Sequence, residues 1–174
     1  MTTASAHFNE LPILMTSTTP LTGVAELYER HYEMVFRAAL RVTGNPADAE
    51  DVLQTVFMRV LARNAEVEDV ARAAAYFRRA AVNAAVDVLR RRELRAESAP
   101  DERTLHAMQP PFLLKEQLRR AIAALDTEDA SLFLLRYVEG MSIQELAGMF
   151  ELEKNNVTVR LHRIRQRLQD EMER

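Results

Sequence analysis

The chain has 174 residues, with 23 Lys and Arg against 26 Asp and Glu, four Gly, no Cys and no Trp. That length fits one ordinary domain or two small ones and excludes a large enzyme barrel, and the missing Cys excludes disulfide scaffolds, thiol catalysis and thiolate metal sites. Abundant Ala, scarce Gly and 48% apolar residues predict an all-α protein rather than a sandwich with many Gly-rich turns.

Residues 1–21 are rich in Thr, Ser and Pro without a sustained period, and read as a disordered lead. No Lys or Arg precedes Arg30, and the longest charge-free stretch, Leu11 to Ala25, contains two prolines. Neither a secretory leader nor a membrane-spanning helix is therefore expected, and a cytoplasmic protein is. Order is predicted from Thr22. Val24, Leu27, Tyr28, His31, Val35, Ala38, Ala39 and Val42 recur at three- and four-residue spacing, an amphipathic helix stopped by Gly44. Asn45 caps a second helix with Pro46 at its first position, and Ala49, Val52, Leu53, Val56, Phe57, Val60 and Leu61 form its buried stripe. A third helix, about Val70 to Arg95, buries Ala73, Ala74, Phe77, Ala81, Ala84, Ala85 and Val88, which completes one small helical domain over 22–95. The period fails across 96–111, where Pro100, Pro110 and Pro111 occur, so this stretch reads as a flexible linker. A second small helical domain is expected over 112–174. Asp126 opens one of its helices, which ends at Gly140, Ser142 and Glu145 form a capping box for the next, and the last begins near Asn155 after the connection Glu151-Leu-Glu-Lys.

Charge is segregated along this frame. Arg72 to Arg95 holds seven Arg against Asp87 and Glu93, Asp126 to Lys154 holds seven acids against Arg136 and Lys154, and Asn155 to Leu168 has four Arg and no acid. The basic residues are all Arg except Lys115 and Lys154, a planar donor suited to phosphate and base edges, so several separate partner surfaces are expected. A short capped helix, a tight connection and a longer Arg-bearing helix have the proportions of a helix-turn-helix. On the longer helix Val157, Leu161, Ile164 and Leu168 fall on one side as core. Opposite lie Val159, His162, Arg163 and Gln166, with Asn155 at the helix start where a phosphate is favoured and Arg160 and Arg167 at the margins. The same pattern fits a solvated helix closing a bundle.

On the third helix Arg72, Tyr76, Arg79, Asn83, Asp87 and Arg90 recur at spacings of three and four and share one face. An aromatic ring to stack, an amide to meet a base edge and guanidiniums to follow a backbone suit unpaired bases, with Asp87 orienting a neighbouring Arg. The Arg90-Arg91-Arg92 run taken alone equally fits a solvated helix end. The outward face of the second helix reads Asp48, Asp51, Gln54, Thr55 and Met58, a thioether among polar groups that suits an interface core with a polar rim or an ordinary acidic surface. His7, His31, His106 and His162 lack metal-ligand spacing, and His31 falls on an apolar stripe where a packed core histidine is expected. Without a phosphate loop, a nucleophile elbow or a carboxylate pair in a cleft, no metal, cofactor or enzymatic activity is expected.

In this order the segments resemble the extracytoplasmic-function (ECF) group of bacterial sigma factors, over about Glu26 to Glu171. Leu27-Tyr-Glu-Arg-His-Tyr and Gly44-Asn-Pro-Ala-Asp-Ala-Glu-Asp-Val-Leu-Gln-Thr-Val-Phe are similar to the start of the family's region 2. Tyr76-Phe-Arg-Arg-Ala-Ala-Val-Asn-Ala-Ala-Val-Asp-Val-Leu-Arg-Arg-Arg is similar to the segment that melts and reads the downstream promoter element, with Tyr76 where Trp is usual. Ala124-Leu-Asp, Leu134-Leu-Arg-Tyr-Val-Glu-Gly-Met-Ser-Ile-Gln-Glu-Leu-Ala and Val157-Thr-Val-Arg-Leu-His-Arg-Ile-Arg resemble region 4, which reads the upstream element.

The resemblance implies a two-domain promoter-specificity subunit that is not itself an enzyme. It implies that Asp48, Asp51, Gln54, Thr55 and Met58 grip core RNA polymerase at the β′ clamp coiled coil, with the β flap as a second contact. It implies that Arg72, Tyr76, Arg79, Asn83 and Arg90 open the downstream promoter element, and that Asn155, Thr158, Val159, Arg160, His162, Arg163 and Gln166 read the upstream duplex. Control by an anti-sigma factor, often membrane-attached, is implied as well. The rival reading is a free-standing helix-turn-helix regulator, which would bind duplex DNA alone as a symmetric dimer.

Overall fold

The computed structural model describes residues 19–62, 70–98 and 110–173, with side chains from 25–62, 73–96 and 113–173. Among the described residues there is no strand, and the helices are α1 Thr19–Thr43, α2 Pro46–Ala62, α3 Val70–Ser98, α4 Pro110–Ala124, α5 Thr127–Tyr137, α6 Ile143–Phe150 and α7 Lys154–Met172. The all-α expectation holds. Several helix bounds move outward from those read in the sequence: α1 starts at Thr19, α3 runs on to Ser98, and α4 begins at Pro110 within the stretch read as linker, while α5 ends at Tyr137, short of Gly140. Two prolines are tolerated there because the first turn of a helix has no intrahelical use for their missing N–H groups. Residues 1–18 of the expected lead and 99–109 of the expected linker lie outside the described residues.

The helix ends follow their local chemistry. Gly44 stops α1 in the left-handed region at φ +67 with its N–H on the Leu40 carbonyl at 2.8 Å. Asn45 Oδ1 then accepts from the Ala47 and Asp48 N–H groups at 2.8 and 3.3 Å, which caps α2. The Asp126 side chain caps α5, and Ser142 with Glu145 closes a full capping box on α6. Between α6 and α7 the chain turns at Glu151, which adopts a left-handed φ of 54 while Leu152 N–H bonds Ala147 O at 2.9 Å.

In the first group of helices, Val35, Ala38 and Val42 of α1 meet Val52, Val56 and Val60 of α2 and Phe77, Ala81 and Ala85 of α3, all nearly inaccessible. The Phe77 ring lies between His31 at 4.7 Å and Phe57 at 5.1 Å. Tyr28 and Leu61, expected inside, are 43% and 39% exposed, and Leu53 and Ala74 are half-buried, because each sits at the margin of its stripe. In the second group, Leu132, Leu135, Leu146, Val157, Leu161, Ile164 and Leu168 form the core.

The groups meet on α3. Val82, Val86 and Leu89, which the sequence pattern left out of the core, are buried on the side of α3 that packs against α4 and α5. One long helix therefore carries two apolar stripes, and the buried residues of both groups join into one cluster. Each such side chain removed from water stabilises this contact by about 1.5–3 kcal/mol.

Candidate polymerase and nucleic-acid interfaces

All five residues of the α2 outer face line one groove, Asp48, Asp51, Gln54, Thr55 and Met58, together with Arg91, Arg92 and Arg95 of α3. Met58 is 64% exposed, a polarizable apolar side chain open to solvent. Asp48 differs from its neighbours. Arg92 ion-pairs with it and also donates from Nη1 to the Thr43 carbonyl at 3.2 Å, so this acid ties α2 to α3 and to the end of α1. The arginine wall was not assigned to this groove from the sequence; its only signal was the Arg90–Arg95 run.

The described members of the α3 row, Tyr76, Arg79, Asn83, Asp87 and Arg90, are half-buried. Arg72 lies on α3, but its side chain is outside the described residues. Tyr76 is half-buried, edge-on to Phe77 at 5.6 Å. Arg79 donates to the Met149 carbonyl at 2.8 Å and its guanidinium stands 4.3 Å over the Phe150 ring. Asn83 Oδ1 accepts from the Ser131 hydroxyl. Arg90 donates from Nε to Ala123 O at 3.2 Å, and from Nη2 and Nη1 to Leu125 O and Thr127 Oγ1 at 2.6 Å each. The physical reason is that the last carbonyls of a helix lack intrahelical donors, and a guanidinium on a neighbouring helix supplies them. Asp87 faces Arg59 of α2 at 4.0 Å.

The α6–α7 pair has the expected two-sided geometry. Val157, Leu161, Ile164 and Leu168 are buried, while Asn155, Thr158, Val159, His162, Arg163 and Gln166 are exposed. Thr158 Oγ1 donates to Lys154 O at 3.0 Å, within its own helix. Arg160, expected among the groups that read the upstream duplex, is turned instead to acidic partners on α5. Its Nε donates to Asp129 Oδ1 at 2.5 Å and both Nη atoms reach Glu128 Oε2 at 3.1 Å, while Arg167 Nη1 donates to Asp129 Oδ2 at 3.1 Å. These two arginines clamp α7 onto the acidic start of α5, where the helix dipole also favours negative charge. Burial pushes the Asp129 carboxyl above its ordinary range, against the hydrogen bond from Arg160. Exposed Glu145 is held low by its bonds from the Ser142 hydroxyl and N–H.

The family model of Sigma-70 region 2 matches residues 27–95, and that of Sigma-70 region 4 matches residues 115–168. Over 153 residues the chain is 31% identical to the RNA polymerase sigma-E factor of Streptomyces coelicolor, a match that covers 84% of each. The chain belongs to the ECF sigma factors. It is also 30% identical over 154 residues to the ECF RNA polymerase sigma factor SigE of Mycolicibacterium smegmatis, covering 83% of this chain and 60% of that relative's length. SigL of Mycobacterium tuberculosis is 30% identical over 149 residues, covering 78% of this chain and 81% of SigL. In this sigma factor region 2 spans α1–α3 and region 4 spans α4–α7, so the α2 groove and the α3 row belong to the first and the helix-turn-helix to the second. No described helix is long and apolar enough to cross a membrane.

Proposed function

We propose that this sigma factor joins core RNA polymerase through the α2 groove, with Asp51, Gln54, Thr55 and Met58 touching the β′ clamp coiled coil, Asp48 positioning them, and region 4 resting on the β flap. Region 4 then reads the upstream promoter element as duplex through Asn155, Thr158, Val159, His162, Arg163 and Gln166. Region 2 opens the downstream element, with Tyr76 stacking on an unpaired base, Asn83 meeting a base edge, and Arg72, Arg79 and Arg90 following the strand. Domain limits of 22–95 and 112–174 serve this division. The chain catalyses no reaction itself, requires no cofactor, works in the cytoplasm beside the polymerase, and is held inactive by an anti-sigma factor attached to the membrane in some settings.

The observation that carries the reading is the face of α7: polar and basic groups exposed directly opposite a fully buried stripe, on the second helix of a capped helix-turn-helix. In vitro transcription tests it. Purified chain plus bacterial core polymerase on a genomic promoter library should give run-off products that core alone does not. Products identical with and without the chain would overturn it. A free-standing regulator would instead bind duplex tightly without core, and the sigma-factor relatives do not favour it.

A further inference from the structure

We infer that residues 8–15 of this chain lie as an extended segment along an apolar seam between α1 and α2, covering Tyr28, Tyr32 and Leu61. These three side chains are 43%, 45% and 39% exposed, and they form one row. The Tyr28 and Tyr32 rings stack at 5.5 Å, and Tyr28 stands edge-on to Phe57 at 4.8 Å. Leu61 follows Phe57 by one turn on the same face of α2. Because α2 returns antiparallel to α1, Leu61 lies nearer the start of α1 than Phe57 does. Phe36 and Leu53 extend the seam as half-buried side chains. Scattered exposed apolar residues are ordinary, but two rings and a leucine joined in one row mark a surface that something covers.

The chain carries a segment of matching chemistry next to this seam. Residues 1–18 as a whole have the composition of a disordered lead, but Phe8-Asn-Glu-Leu-Pro-Ile-Leu-Met within them holds five large apolar side chains. Glu10 is the only Asp, Glu, Lys or Arg in residues 1–18, so docking strips no cluster of charges of water. Pro12 fixes its own φ near the extended range and biases Leu11 the same way. In an extended chain Leu11, Ile13 and Met15 share one face at intervals of about 7 Å. Tyr28 and Tyr32, four residues apart on α1, repeat at about 6 Å, so the two rows match in step. The reach fits as well. From the start of α1 at Thr19, Tyr28 lies about 14 Å and Tyr32 about 20 Å along the helix. A chain that reverses over about two residues and returns at about 3.3 Å per residue brings Ile13 level with Tyr28 and Leu11 level with Tyr32, with Met15 beside Leu61. Attachment to α1 gives the segment an effective concentration in the millimolar range. A separate protein or a second copy would need a far larger patch, roughly 20–30 residues per side, which favours the tethered segment as the occupant.

The test uses the purified full chain, in which Tyr137, 47% exposed on α5, serves as an internal reference. Nitration by tetranitromethane is followed at each tyrosine by peptide mass spectrometry. Left open, Tyr28 and Tyr32 would react about as fast as Tyr137; covered, they should react about tenfold more slowly, because only the fraction of chains with the segment displaced is attacked. Leu11→Ser, Ile13→Ser and Met15→Ser together should bring all three tyrosines to one rate. Helical circular dichroism should stay unchanged, because these positions lie outside both helical cores. Equal rates in the parent would overturn the docked segment and leave the seam open to another protein. Slow nitration that persists in the triple variant would overturn it too. Loss of that protection on dilution would then assign the seam to a second copy, and protection at every concentration to the stacked ring pair itself. Position is checked by disulfide capture under copper–phenanthroline oxidation, in a chain without native Cys. Met15→Cys with Leu61→Cys should close within one chain about tenfold faster than Met15→Cys with Glu26→Cys. Glu26 is nearer in sequence but exposed on the far side of α1. Equal closure of the two pairs, or faster closure with Glu26→Cys, would overturn the placement on the seam.

Discussion

His31 sits 5% exposed in the region 2 core, its ring against Phe77, and its Nε2 has no hydrogen-bond partner. Burial first, and then the charge of Arg30, hold its pKa below the ordinary 6.5. The folded chain thus takes up a proton less readily than the unfolded chain. As pH falls through the unfolded value the unfolded state is protonated first, so stability is lost below about pH 6.5 and unaffected well above it. The drop in Tm between about pH 7.5 and about pH 5.5 should be smaller in His31→Phe than in the parent. An equal drop in both would show that other groups set the acid sensitivity. Arg160 and Arg163 separate structure from reading. Arg160→Ala removes one of the two guanidiniums on the mostly buried Asp129 carboxylate, leaving Arg167 on the other oxygen, and should cost about 1–2 kcal/mol, seen as a lower Tm, whereas Arg163→Ala should leave Tm unchanged and alter which upstream sequences are preferred. Unchanged Tm with uniformly weaker DNA binding in Arg160→Ala would place it on the DNA backbone instead. His31 was legible as a core residue because periodicity reports which face is apolar. Arg160 was not, because its partners lie on α5, some thirty positions earlier.

At the scale of elements, the caps were read well because they depend on neighbours in the chain. Asn45, Asp126, Ser142 with Glu145, Gly44 and Gly140 all act within a few residues of themselves. The outer faces of α2 and α7 were likewise visible as the sides opposite the apolar stripes. Replacing both Asp51 and Gln54 by Arg should abolish co-elution with core polymerase and leave circular dichroism and Tm near the parent's, since both side chains are exposed on α2. Co-elution at parental affinity would remove this face from the interface. Helix α3 carries two apolar stripes. One is visible in the periodicity, and the second, through Val82, Val86 and Leu89, is masked in sequence because a row of Arg, Asn and Tyr beside it resembles a solvated face.

For the whole molecule, the continuous apolar cluster across α3 couples the two regions. Calorimetry should give a single cooperative unfolding transition, and Val86→Asp, which buries a charge at a fully inaccessible position, should lower it as a unit. Two resolved transitions, with only one moved by Val86→Asp, would mean that the regions unfold independently in solution.

Composition, spacing and caps alone determined that this chain is helical, where most of its helices lie and which face of α7 meets solvent. These properties are local: each depends on residues three or four positions apart, and helical geometry converts that spacing directly into a face. Tertiary structure alone decided where the arginines go. A guanidinium five bonds or more from its backbone can meet phosphate, a carboxylate or the spare carbonyls at a helix end, and nothing in its own neighbourhood selects among them. Arg90 reaches the end of α4, Arg119 the end of α1 and Arg160 the start of α5 because the packing of α3 on α4 and α5, and of α7 on α5, brings those oxygens within reach.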